Sequence, residues 1–183
     1  ETIRLAASKG IGALSFGFVE PGEAEEWVGE YYDIIRSDAC VPAGFSVNAN
    51  IACALPFMCH EDEEEAINRG LDGAHFFGYS LGHFYGFGNH QPGVTDIHEQ
   101  FLANRTAFGF DRETAAQVGV GLRARMTKEV DGVAEGVASL RGAIGTPDQI
   151  RDLLLDYEAA GVDQVIFISQ AGHNRHEHIC ESI

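Results

Sequence analysis

Lysine is almost missing from this chain: Lys9 and Lys128 are the only lysines among twelve cationic side chains, which face 28 carboxylates and leave a formal net charge of −16. A large nucleic-acid footprint or a polybasic membrane surface needs clustered cations to displace counterions, so the balance argues against both. Also absent is any C-x-x-C pair. The four cysteines, at 40, 53, 59 and 180, do not form the even ladder of a small disulfide-stapled domain, and free thiols in a reducing cytoplasm are expected. No stretch approaches the roughly eighteen consecutive apolar residues of a membrane span. The chain opens on Glu1-Thr2-Ile3-Arg4, with neither an initiator Met nor the basic-then-apolar plan of a signal peptide, and so reads as processed or truncated at its start. What is present is ample: 183 residues, 45% of them apolar, are one globular domain's worth of chain with a substantial core.

Along the chain, apolar periodicity switches between helix and strand. Residues 2–8 place Ile3, Leu5, Ala6 and Ala7 before Lys9-Gly10, a helix's last turn and its glycine stop. The glycine-bounded run 12–16 (GALSF) is too short for a helix and reads as a buried strand. Pro21 opens an acidic helix to about Arg36, with Ala24, Trp27, Val28, Tyr31, Ile34 and Ile35 at helical spacing and Glu23, Glu25 and Glu26 at the positive end of the dipole. Residues 45–58 form the next strand candidate, ended by Cys59-His60-Glu61-Asp62. A second acidic helix starts at Glu63 and keeps its period to about Tyr85, despite glycines at 70, 73, 78 and 82 that permit close approach to another element. Residues 86–95 are a loop, Asp96 caps a helix through Ala107, and the mixed, Gly-rich stretch 108–142 completes what is expected to be a long helical insertion. Thr146, Pro147 and Gln149 then spell a capping-box helix start, with Ile150, Leu153, Leu154, Tyr157 and Ala160 on its buried face and Gly161 as its stop. Residues 162–169 read as a buried strand, and a last helix begins near Glu177. Short all-apolar strands alternating with amphipathic helices mean an α/β fold whose parallel strands are covered by helices. An open doubly wound sheet and a (β/α)8 barrel both satisfy that pattern.

Several clusters carry potential chemistry. Gly10, Gly12 and Gly17 superficially match a dinucleotide fingerprint, but that motif must follow a strand and open a helix; here the order is reversed and the glycines read as turn residues. The run His173-Asn174-Arg175-His176-Glu177-His178-Ile179-Cys180 follows the last strand, where parallel α/β folds place functional groups. Arg175 and the amides of 172–176 would hold an anion there, or the run is simply a capped surface helix. A metal reading would use His173, His176 and Cys180, with 173 and 176 on one helical face and His178 pointing away, although no H-E-x-x-H spacing exists. Cys59 and His60 are neighbours on extended chain whose side chains point apart, which suits a buried thiol beside a helix-start imidazole. The aromatic stretch from His75 to Tyr85 either packs in the core or lines a pocket for a flat ligand. Thr2 is either an ordinary helix cap or a hydroxyl and amide offered to a phosphate.

The opening string Glu1 to Leu14, the run Pro56-Phe57-Met58-Cys59-His60 with its acidic helix, Gly145-Thr146-Pro147, and Gln170 to His178 together resemble the bacterial-luciferase-like flavin-dependent monooxygenases over nearly the whole chain. That resemblance implies a (β/α)8 barrel holding reduced FMN at the C-terminal ends of its strands, where O2 and a small organic substrate react; some relatives use the deazaflavin F420 and transfer hydride instead. It implies that a Ser and a Thr at the start of the first helix contact the FMN phosphate. Thr2 falls on the Thr, and the Ser would lie just before Glu1. Gly172, His173 and Arg175 are then a second expected wall of the cofactor site. Residues 1–183 correspond to the C-terminal half of such a barrel, with the first strands and their catalytic His absent and apolar strand edges left exposed. The expected partners are O2, a small substrate, a flavin reductase and further copies of the chain, in the cytoplasm, with no nucleic acid and no membrane. The rival readings are an F420-dependent hydride transferase, a non-catalytic flavin-binding relative, and a metal hydrolase on His173, His176 and Cys180.

Overall fold

The computed structural model describes residues 2–16, 21–110, 112–113, 123–130 and 133–183. In chain order the elements are α1 (Thr2–Ser8), β1 (Ala13–Phe16), α2 (Pro21–Ile35), β2 (Ile51–Cys59), α3 (Glu63–Gly82), a π-helical turn (His83–Phe87), α4 (Ile97–Asn104), β3 (Arg123–Val130), β4 (Val133–Leu140), β5 (Ala143–Gly145), α5 (Pro147–Ala159), β6 (Gln164–Ile168) and α6 (His176–Ser182). No helix among the described residues is long and apolar enough to cross a membrane.

Strand β2 organises a four-stranded sheet. It runs parallel to β1, with Ala13 opposite Ile51 and Phe16 opposite Ala54, and parallel to β5, with Phe57 opposite Ala143 and Cys59 opposite Gly145; β6 pairs with it as well. Every residue from Ile51 to Met58 is buried, as the apolar run of a helix-covered parallel strand requires. Pro56 has no N–H to give, and it falls between the β1 and β5 ladders. The chain divides into two compact units, Glu1–Leu55 with Arg151–Phe167, and Pro56–Ile150 with Ile168–Ile183, and β2 contributes to both.

In the first unit, Tyr31 of α2 is fully buried with its hydroxyl satisfied: it donates to the Ile11 carbonyl at 2.8 Å and accepts from the Asn50 amide at 3.2 Å. Asp163, just before β6, accepts from the Ile51 amide at 2.7 Å and from the Tyr32 hydroxyl at 2.5 Å. Desolvation, followed by that hydrogen bond to a carboxylate, pushes the Tyr32 phenol up to about 12.

In the second unit, α3 lies on β2 and β5 around a core of Met58, Ala66, Ile67, Leu71, Ala74, Ile144 and Ile179. Asp62 caps α3 by accepting from the Glu65 amide at 3.0 Å, and Glu63, Glu64 and Glu65 occupy its first turn, where negative charge suits the dipole. The anticipated capping box is present on α5: Gln149 Oε1 accepts from the Thr146 amide at 2.9 Å and Thr146 Oγ1 from the Gln149 amide at 3.4 Å. The starts of α3 and α5 are joined through Glu63, which receives the guanidinium of buried Arg141 and, at 2.9 Å, the side-chain amide of Gln149; Arg141 Nε also donates to the Ile144 carbonyl at 3.0 Å.

Three expectations are corrected. The strand predicted over 45–58 begins only at Ile51, because the amides of Asn48 and Asn50 go to the Gly10 carbonyl and the Tyr31 hydroxyl rather than to a ladder. The long insertion is not helical throughout: β3 and β4 pair antiparallel, with Val130 opposite Val133. The sequence between those two residues is Asp-Gly, the dipeptide favoured in two-residue hairpins, and polar residues recur at alternate positions in β3. The helix expected to run to about Tyr85 keeps α geometry to Gly82 and then widens into the π-helical turn.

A Cβ on Gly70 would lie 2.4 Å from the Cβ of Met58, so α3 can sit on β2 only because that position is bare. Gly70→Ala is expected to destabilise the protein by about 1–3 kcal/mol in urea unfolding, the steric cost outweighing the ~1 kcal/mol that Ala gains in helix propensity. The Arg141 and Gln149 hydrogen bonds hold the Glu63 carboxyl below its ordinary value of 4.5, so its contribution is present at neutral pH and is lost as pH falls through the folded-state value. Glu63→Gln should cost about 1–2 kcal/mol near neutrality, held low because the side chain is 43% exposed, and the difference from wild type should shrink in unfolding curves below pH 4.5.

Candidate functional site

A cavity of about 360 Å3 opens in the second unit between α3, α4 and the segment after β6. Helix α3 presents Arg69, Asp72, Gly73 and Phe76 to it, positions that recur every three to four residues and so share one face. Helix α4 adds His98 and Phe101; Asp96 caps it by accepting from the Glu99 amide at 2.9 Å. The third wall is Gly172, His173, Asn174, Arg175 and His178.

The third wall is held against α3 by the absence of a side chain. A Cβ on Gly73 would stand 2.3 Å from Asn174 Oδ1 and 2.7 Å from the Ala171 carbonyl oxygen. Asn174 in turn donates through Nδ2 to the Ser169 carbonyl at 2.9 Å, which closes the loop on itself. At the cavity, the His98 and His173 rings pack with centroids 4.0 Å apart and planes tilted by 36°, and Phe76 stands edge-on to His98 at 5.2 Å. Below them Phe76 and Phe108 pack on a buried cluster of Tyr79, Phe101 and Phe110.

Most charge around the cavity is matched locally. Arg69, only 13% exposed, holds Glu65 at 2.7 Å and Glu181 at 2.5 Å, and its hydrogen bonds keep both carboxyls below the usual range. Arg105 holds Asp72 at 2.9 Å. Arg175 is different: its nearest carboxylate is Glu177 at 3.5 Å, with both side chains 67% exposed.

The luciferase-like monooxygenase family model matches residues 1–164. The chain belongs to that family. Its parallel sheet with alternating helices covers only part of the barrels of its structural neighbours. It is 16% identical to monooxygenase RslO1 from Streptomyces bottropensis, with a TM-score of 0.53, covering 98% of this chain and 41% of that one. It is 18% identical to a coenzyme F420-dependent tetrahydromethanopterin reductase from Methanopyrus kandleri, with a TM-score of 0.48, covering 97% of this chain and 44% of the other. At 16% identity the likeness to RslO1 speaks to the fold alone, and the luciferase-like chain spans less than half the length of either structure. No curated protein matches it.

Of the residues singled out in this luciferase-like sequence, Gly172, His173 and Arg175 all line the cavity, and Gly172 has φ +53°. Thr2 is the first residue of α1, exposed, in the first unit. His178, which helical spacing from His173 pointed away, lines the same cavity as His173; α6 starts only at His176, with Arg175 as its N-cap, so His173 precedes the helix and the spacing does not apply. His98 was missed. It comes from a distant helix and no local pattern marks it.

The metal reading loses its third ligand. His176 Nε2 and Cys180 Sγ lie 3.4 Å apart one turn along α6, but His173 packs against His98, and no three His, Cys, Asp or Glu side chains among the described residues come together to hold a metal ion. His60 accepts from the Asp62 amide through Nδ1 at 3.0 Å, a helix-start contact as expected. The glycines at 10 and 12 lie between α1 and β1, the reverse of a dinucleotide motif. All four cysteines are free; Cys180 is exposed, while burial pushes the Cys53 thiol up to about 11 and that of Cys59 upward. Mass spectrometry after brief iodoacetamide treatment at about pH 8 should find Cys180 alkylated and Cys53 intact until the protein is denatured, since Cys180 is exposed whereas Cys53 is buried with its thiol pushed up.

Proposed function

We propose that this chain is the C-terminal part of a flavin-dependent oxidoreductase that uses reduced FMN and O2 to oxygenate a small organic substrate. The observation that carries the reading is the family match over residues 1–164. The donor chemistry suits such a cofactor. Thr2 offers an exposed hydroxyl at a helix start, where first-turn amides lack intrahelical partners, which is a phosphate's usual ligand set. When bound, the flavin supplies the oxygen chemistry. The protein's own part is to anchor the phosphate, present the ring and keep water out.

The first unit favours a chain that works within a larger barrel. Leu14 on β1 is 57% exposed, and Ile166 and Phe167 on β6 are each 38% exposed, whereas strands of parallel sheets are normally covered on both faces. A flavin reductase as electron donor, self-association and a cytoplasmic setting complete the reading; the four free thiols suit a reducing compartment.

The test is cofactor binding by the protein carrying the rest of its barrel. Reduced FMN should support O2 consumption with substrate, flavin fluorescence should be quenched on binding, and Thr2→Val should weaken FMN roughly tenfold by removing a hydrogen bond to a charged group. Binding of F420 with hydride transfer and no O2 uptake would replace the monooxygenase reading by the reductase one. Binding of neither cofactor would remove both.

A further inference from the structure

We propose that the cavity between α3, α4 and residues 171–178 binds a planar aromatic carboxylate. Assigning that acid to the substrate rests on the flavin reading above; the binding site itself does not. At about 360 Å3 the cavity is at the small end of ligand pockets and suits a one- or two-ring molecule rather than a three-ring flavin with its phosphate chain. One wall is aromatic: the His98 and His173 rings pack at 4.0 Å with a 36° tilt between their planes and Phe76 stands edge-on to His98, so an inserted aromatic ring meets ring faces and edges.

The carboxylate follows from which charges are already matched. Glu65 and Glu181 are taken up by Arg69, and Asp72 by Arg105, so these acids add little net repulsion at the cavity. Arg175 lines the cavity, and its contact with Glu177, at 3.5 Å, is longer than the roughly 2.7–2.9 Å of a strong charge-assisted hydrogen bond. With both partners 67% exposed, that pair is worth little, and the guanidinium can turn to a ligand at small cost. A guanidinium fork matches a carboxylate through two parallel hydrogen bonds, which an alcohol or a ketone does not reproduce. Because the wall is locked by the Gly73 contact with Asn174, the site is formed before the ligand arrives.

Titration of the protein with 2-naphthoate, followed by calorimetry and saturation-transfer NMR, tests the proposal. One saturable site is expected, weakened roughly tenfold or more by Arg175→Gln and also weakened by His98→Ala, with circular dichroism unchanged. Neutral 2-naphthylmethanol should bind roughly tenfold more weakly than the acid. Glu177→Gln should leave naphthoate affinity unchanged or raise it. Absence of saturable binding, or equal affinity of acid and alcohol together with indifference to Arg175→Gln, overturns the site. Adding FMN separates the two readings: retained naphthoate binding supports the substrate assignment, and displacement by FMN overturns it. FMN quenching measured without naphthoate reports on the flavin reading alone.

Discussion

Helix α3 lies where it does because two residues on one of its faces have no side chain. Gly70 lets the helix backbone settle onto Met58 of β2, and Gly73, one turn further on, admits Asn174 and the Ala171 carbonyl. Helices of this composition give up roughly 1 kcal/mol of propensity per glycine, a cost offset only where close approach returns more. Here the return is twofold: a sealed core of Met58, Leu71, Ala74 and Ile144, and a loop clamped so that its residues and those of α3 and α4 enclose one cavity. The register of a single helix on a single strand therefore sets the position of every group at the candidate site.

Charge is handled in the same economical way. With 28 acids against twelve cations, the chain cannot pair most carboxylates. Several instead sit at helix starts, where Asp62 and Asp96 cap backbone amides and Glu63, Glu64, Glu65 and Glu99 meet the positive end of the dipole. Two guanidiniums sit where there is little water: Arg141 is almost wholly buried and ties the starts of α3 and α5 through Glu63, and Arg69 gathers Glu65 and Glu181. Arg175, which lines the cavity, is engaged more loosely than Arg69 or Arg105 beside it.

Much of the fold was legible before any coordinates because its signals are local. Pro21, Asp96 and the Thr146-Pro147-Gln149 start mark helix boundaries through backbone hydrogen bonds made within four residues. The all-apolar run of β2 announces a strand buried on both faces. Errors came where distant partners decide. Asn48 and Asn50 look like strand residues until Gly10 and Tyr31 claim their amides. The β3–β4 ribbon was overlooked because Gly-rich sequence hid the period-two alternation and the Asp131-Gly132 signal between the strands. At the site, Gly172, His173 and Arg175 were visible from their place after the last strand, while His98 was not, since nothing near it in sequence marks its ring as the partner of His173.

The alternation of helices and parallel strands, the helix starts, the shortage of cations and the luciferase-like family are all readable from residues alone, since each depends on patterns within a few residues or along the whole string. Folding alone brings His98 against His173, places His178 in their cavity, leaves His176 and Cys180 without a third ligand, and sets which acids are already matched by a guanidinium. The physical reason is that these are relations between side chains on separate elements. They are set by how closely α3 can approach its neighbours, and that distance is fixed by packing.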